Sequence, residues 1–223
     1  MEHKRLTLFA GHYGSGKTNI AVNYAIAMAQ DGKQVCIADL DIVNPYFRTK
    51  DSADRLAEAG VILISPQFAN SNVDLPALPA EAYRLVQDKS IYGVMDIGGD
   101  DRGAYALGRY VPAIKAEGNY RMVFVANCCR PLTPTAPEAL EVMREIEAAC
   151  GLQFTDIINN SNLGPETTAE TVLESQGFIE SLSKLSGLPI WATTAEETVA
   201  AQLRISNVFP LRLQEKYFDL PTI

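Results

Sequence analysis

At 223 residues the chain is long enough for one large domain with a sizeable core. Apolar residues make up 47% and charged residues 21%, which excludes the disordered, collagen-like and coiled-coil classes. A formal net charge of −8 argues against a protein that works on nucleic acid or anionic lipid, and no apolar run approaches the roughly 20 residues that cross a bilayer. The opening Met1-Glu2-His3-Lys4-Arg5 lacks the apolar core of a signal peptide, and Cys36, Cys128, Cys129 and Cys150 show no framework spacing. The expected setting is therefore a reducing cytoplasm, with neither nucleic acid nor membrane as partner.

The first predicted strand, Leu6–Ala10, leads into Gly11-His12-Tyr13-Gly14-Ser15-Gly16-Lys17-Thr18. An amphipathic helix follows, with Ile20, Ala21, Tyr24, Ala25 and Met28 on one face and Gly32 able to close it, and Asn19 beside the loop is a candidate ligand-binding residue. Short apolar runs predict further strands over residues 34–39, 61–65, 91–96, 122–127, 155–159, 188–192 and 208–213. Capping boxes are predicted at Thr135/Glu138, Thr167/Glu170 and Thr194/Glu197, and Leu140, Met143, Ile146 and Cys150 repeat at helical spacing. Strands alternating with helices predict one doubly wound α/β domain over residues 1–223, its mainly parallel sheet flanked by helices. In such sheets ligands sit at the carboxyl ends of the strands.

Residues 11–18 match Gly-x-x-x-x-Gly-Lys-Ser/Thr in the strand–loop–helix setting that the pattern requires, a P-loop. A chance match somewhere in the chain has a probability of roughly 1% before that setting is counted. The glycines let consecutive N–H groups turn inward on a phosphate, and the helix N-terminus adds positive potential. Lys17 supplies a full charge for the β- and γ-phosphates, and the Thr18 hydroxyl is a Mg²⁺ ligand.

Two acidic strand ends follow. Asp39-Leu40-Asp41 closes the second strand, and residues two apart in an extended chain face the same way, one toward a metal and one toward an attacking water. Asp96 ends the fourth strand, placed to hold Mg²⁺ through a water. Ile97 stands where AAA-type and helicase-type ATPases carry an acidic base, which disfavours that class. Asp96-Ile97-Gly98-Gly99 instead reads as the Asp-x-x-Gly of nucleotide switches, whose last N–H senses a γ-phosphate.

On the phosphate loop, Asp39-Leu40-Asp41 and Asp96-Ile97-Gly98-Gly99, the sequence resembles the ParA/MinD ATPases, the CobQ/CobB/MinD/ParA group, in detail over its first half. The resemblance implies ATP and Mg²⁺ as cofactors, Asp39 near the metal shell, and Asp41 orienting the hydrolytic water. It also implies slow hydrolysis, an ATP-dependent homodimer and action on a protein partner. The family's loop opens Lys-Gly-Gly, its first lysine reaching across the dimer; His12-Tyr13-Gly14 stand there instead, and histidine is shorter and no permanent cation. The acidic, proline-broken tail from Tyr217 to Ile223 is unlike the membrane-anchoring helix of MinD.

For the base, Ile157-Ile158-Asn159-Asn160-Ser161-Asn162 occupies the place of a guanine-reading Asn-Lys-x-Asp without its Asp. An amide pairs with adenine's N6 and N7, so Asn159 and then Asn160 are the candidates, and a plain Asn-rich turn is the alternative. Thr193 and Thr194 line the base pocket or cap the next helix. Cys128-Cys129 has the wrong spacing for a metal pair, Asp100, Asp101 and Arg102 suit a helix N-cap, Arg48 and Arg130 could approach phosphates or a partner but are not counted among the site residues, and Tyr46-Phe47 is a candidate partner contact. The expected function is a Mg²⁺-dependent ATPase that works as a switch or assembly factor. An ATP-dependent ligase or amidating enzyme, like dethiobiotin synthetase or the cobyrinate enzymes, and a non-hydrolysing nucleotide-binding module are the alternatives.

Overall fold

The computed structural model describes residues 3–40, 49–65, 80–99 and 101–214. In chain order its elements are β1 (Leu6–Ala10), α1 (Lys17–Gln30), β2 (Val35–Leu40), α2 (Ala53–Glu58), β3 (Ile62–Ile64), α3 (Arg84–Gln87), β4 (Tyr92–Ile97), α4 (Asp101–Gly108), α5 (Val111–Glu117), β5 (Tyr120–Ala126), α6 (Ala136–Cys150), β6 (Asp156–Asn159), α7 (Ala169–Glu174), α8 (Gln176–Ser186), β7 (Ile190–Glu196), α9 (Glu197–Ala200) and β8 (Val208–Leu211). The eight strands form one sheet in the order β3-β2-β4-β1-β5-β6-β7-β8, and every pairing is parallel.

Burial on both faces explains why the strands read as nearly unbroken apolar runs. All five residues of β1 and all six of β2 are buried. Leu6, Leu8 and Ala10 pack on one face with Leu107, Met143, Ile179 and Leu182 from α4, α6 and α8. Phe9 faces the other way, into a second cluster with Ile20, Ala21, Tyr24, Ala25 and Met28 of α1. The stripe predicted on that helix is the one it buries.

The Thr135/Glu138 box is present: the Glu138 carboxylate accepts from the Thr135 backbone N–H at 3.2 Å and from its hydroxyl at 2.6 Å. The other two boxes are corrected. Thr168 and Thr171 form the box of α7, one residue on from the predicted pair, because the Thr167 hydroxyl donates to Gly164 O and closes the preceding turn. Thr194 caps no helix. Strand β7 runs on to Glu196 because β8 pairs with Thr193–Glu196, and α9 is capped by the Glu196 carboxylate, which accepts from the Thr198 N–H at 2.9 Å.

Strand β1 lies between β4 and β5, so the chain winds outward from it in both directions. This is the switch point of the sheet, where a crevice opens beyond the carboxyl ends of the strands. At the opposite end the buried Arg5 guanidinium pairs with Glu117 and donates to Leu85 O, Asp88 O and Ile91 O, tying the starts of β1 and β4 to α3 and α5.

Candidate functional site

The loop from Gly11 to Gly16 leaves the carboxyl end of β1 at this switch point and delivers the chain into α1. Gly16 is the helix N-cap at φ 92° in the left-handed region. A side chain there would be strained, and its Cβ would collide with Asn160 Nδ2. Within the loop the Ser15 N–H donates to His12 O at 3.1 Å, and Ile20 N–H donates to Gly16 O at 3.2 Å as the helix begins. Lys17 is 6% exposed, and its Nζ donates to His12 O at 3.1 Å, so the ammonium lies back over the loop.

Each loop residue has a definite place. The ring of His12 turns onto its neighbour, Nδ1 donating to Tyr13 O at 2.9 Å. Tyr13 is 53% exposed at the tip. Gly14 O accepts from Arg130 Nε at 2.8 Å. Ser15 is buried, and its hydroxyl has no hydrogen-bond partner among the described residues. Thr18 is partly buried in the first turn of α1, and Asn19 O and Oδ1 accept from Asn23 Nδ2.

Gly99 comes to the same point from β4. A Cβ on it would stand 2.7 Å from Tyr13 N and 2.9 Å from Lys17 Nζ. No other residue type fits without pushing the loop backbone aside. Thus the segment after Asp96 lies directly against the phosphate loop. Asp39 and Asp96 are register partners on the adjacent strands β2 and β4, each 1% exposed, and the Thr49 hydroxyl donates to Asp96 Oδ2 at 3.1 Å. Strand pairing thereby brings together two carboxylates that are 57 positions apart in the chain (96 − 39). Asp41, Arg48 and Tyr46-Phe47 lie outside the described residues, as do Asp100, the side chains of Asp101 and Arg102, and the tail from residue 217.

Carboxylates and a hydroxyl are hard oxygen donors, the set Mg²⁺ takes. Among the described residues no group of three or more His, Cys, Asp or Glu could hold a metal. The Ser15 hydroxyl, without a partner among the described residues, and the missing side chain at Gly99, which lets that residue pack on Tyr13 N and Lys17 Nζ, suit a loop that takes an anion.

The Asn-rich segment after β6 is held inside the protein. Asn159 is fully buried; its Nδ2 donates to Ser175 Oγ at 2.8 Å and its Oδ1 accepts from Ser161 N–H at 3.1 Å. Asn160 Nδ2 donates to Ser15 O at 2.6 Å, and its Oδ1 accepts from Thr194 Oγ1 at 2.6 Å. Asn162 spends its amide on Asn160 O and the Gly164 N–H. Two bonds to the loop backbone were not foreseen from the sequence, although both residues stood near the expected site. One is Asn160 bracing the loop from β6. The other is Arg130 reaching Gly14 from the turn after β5. The only signal for the second was an arginine at a strand's carboxyl end.

No family model matches the sequence, and no curated protein matches it. Solved structures do. Cell division protein FtsY of Thermotoga maritima superposes with a TM-score of 0.59 at 17% identity, over 88% of this chain and 63% of that one. The signal recognition particle receptor FtsY of Elizabethkingia anophelis, in complex with GDP, gives 0.54 at 13% identity over 87% and 58%. The 54 kDa signal recognition particle protein of Aeropyrum pernix, also with GDP, gives 0.53 at 17% over 84% and 40%. The chain thus spans about three fifths or less of these proteins' lengths. The shared architecture is the P-loop NTPase fold.

Proposed function

We propose that the chain binds a nucleoside triphosphate with Mg²⁺, hydrolyses it slowly, and uses the bound state as a switch or assembly signal toward a protein partner. One observation carries this reading: Gly99, three residues beyond the buried Asp96, rests on Tyr13 N and Lys17 Nζ. A phosphate drawn between loop and lysine has to displace or engage that segment, which is what a γ-phosphate-dependent switch requires.

In this reading Lys17 and the loop amides of residues 11–16 stabilise charge on the transferred phosphoryl group, and Asp41 positions the attacking water. Thr18 and Asp96, with Asp39 beside them, would hold Mg²⁺. When bound, Mg²⁺ neutralises charge on the phosphate oxygens. The burial of Lys17 and of both aspartates keeps these charges in a poorly screened setting, where each acts more strongly on a phosphate than it would in water.

ATP is the proposed nucleotide, because residues 159–162 offer no carboxylate to guanine's N1 and N2 protons. Asn159 or Asn160 would read adenine only by exchanging its present partners on binding. GTP is the second reading, favoured by the two similar structures determined with GDP. A dimer formed around nucleotide is the proposed assembly.

Thermal unfolding in the presence of Mg·ATP or Mg·GTP tests the reading. A cognate nucleotide at 100 times its Kd should stabilise the fold by about 2.7 kcal/mol. Lys17→Ala should abolish that stabilisation, and the nucleotide giving the larger shift names the base. A shift that survives Lys17→Ala would remove the loop from the site.

A further inference from the structure

The turn after β5 is built around one buried side chain. Asn127 is fully buried, and its Oδ1 accepts from the Cys129 N–H at 3.0 Å and the Asn162 N–H at 3.4 Å. Its carbonyl accepts from the Arg130 N–H at 3.3 Å and from the Thr133 hydroxyl at 2.8 Å, while Arg130 O accepts from the Thr133 N–H at 3.1 Å. Pro131 removes a further degree of freedom. From this fixed turn the Arg130 side chain crosses to the tip of the phosphate loop, where Nε donates to Gly14 O at 2.8 Å. No carboxylate neutralises Arg130 among the described residues.

A guanidinium has five N–H donors in a planar fork. One is spent on Gly14, which leaves the four on the two terminal nitrogens at the mouth of a loop that already fits phosphate. Lys17, the loop's own cation, lies over the inner side against His12 O. We infer that Arg130 is a second phosphate-binding cation. It grips the loop through Nε and presents its terminal nitrogens to the last phosphate of a bound nucleoside triphosphate. This inference rests on the nucleotide-binding reading above. A planar fork able to bond a backbone carbonyl and a phosphate together is a property of arginine that lysine lacks.

Calorimetric titration with Mg²⁺ and either a non-hydrolysable ATP analogue or ADP, and the same guanine pair, tests it on wild type, Arg130→Ala and Arg130→Lys. Nucleotide-free melting is measured alongside. Arg130→Ala should weaken the triphosphate about tenfold or more beyond any effect on the diphosphate, the loss expected for one charge-assisted contact. Its nucleotide-free melting should stay close to wild type, and Arg130→Lys should recover only part of the loss. Equal weakening of both nucleotides, or a large fall in nucleotide-free melting, would make Arg130 a brace of the loop and overturn the inference. Unchanged affinity for both would overturn it as well, with nucleotide binding left standing. Wild type that takes up no nucleotide would bring down the nucleotide-binding reading itself and this inference with it.

Discussion

At the scale of single residues, the site depends on two close approaches that tolerate little change. Gly99→Ala puts a methyl group 2.7 Å from Tyr13 N and 2.9 Å from Lys17 Nζ. The lysine can swing away, but the backbone nitrogen cannot, so the loop must shift. The expected outcome is nucleotide affinity lowered about tenfold or more, near 1.4 kcal/mol, together with a loss of about 1–3 kcal/mol in nucleotide-free stability from the shifted loop; titration and urea unfolding of both proteins under one condition decide it. Asn160→Ala acts differently. It strips Ser15 O of its 2.6 Å donor and Thr194 of one acceptor, leaving buried polar groups unpaired. Urea unfolding should show a loss of about 1–3 kcal/mol even without nucleotide, and nucleotide should bind more weakly because the loop has lost its brace. Unaltered stability would mean that the brace contributes nothing.

At the scale of elements, the two ends of the sheet do separate jobs. Strand carboxyl ends carry the proposed site, whereas the starts of β1 and β4 are locked by Arg5 against Glu117 and three carbonyls. Burial pushes the Glu117 carboxyl up, but its hydrogen bonds and charge pairing with Arg5 and Lys89 outweigh that and hold it below the ordinary value of 4.5. A carboxyl depressed in the folded state adds stability that is fully present above its unfolded value and is lost as pH falls through the folded one. Stability should therefore decline on acidification below about pH 4.5. Glu117→Ala should cost about 3–5 kcal/mol at neutral pH, since it strands a buried guanidinium, and should flatten that acid limb. Because the pair lies at the far end from the loop, nucleotide affinity per folded molecule should not change. Denaturant melts between pH 3 and 7, with titration at neutral pH, check both outcomes.

At the scale of the whole molecule, the proposed switch predicts a change in assembly. Asp41→Ala, which would remove the residue proposed to orient the attacking water, should accumulate the triphosphate-bound state. Light scattering behind size exclusion should then give a larger mass for Asp41→Ala with Mg·ATP than without it. A mass that is the same in both conditions would favour the ligase or the non-hydrolysing alternative over the switch. Among the described residues no helix is long and apolar enough to cross a membrane.

Much of this architecture was legible in the order of residues. Gly11 to Thr18 announces its loop through glycines, a lysine and a hydroxyl at set local spacings, and the inner strands β1, β2 and β4 betray themselves as apolar runs covered on both sides. Local chemistry also sufficed for the Thr135/Glu138 cap, whereas the misplaced boxes at Thr167 and Thr194 show where it fails, since a neighbouring turn and a partner strand claimed those hydroxyls. What only the tertiary structure decided is which distant groups meet the loop. Asn160 reaches Ser15 across 145 positions and Arg130 reaches Gly14 across 116. No local pattern encodes such meetings. They arise because parallel strands joined by crossover helices bring their carboxyl ends to one edge of the sheet, whatever their distance along the chain.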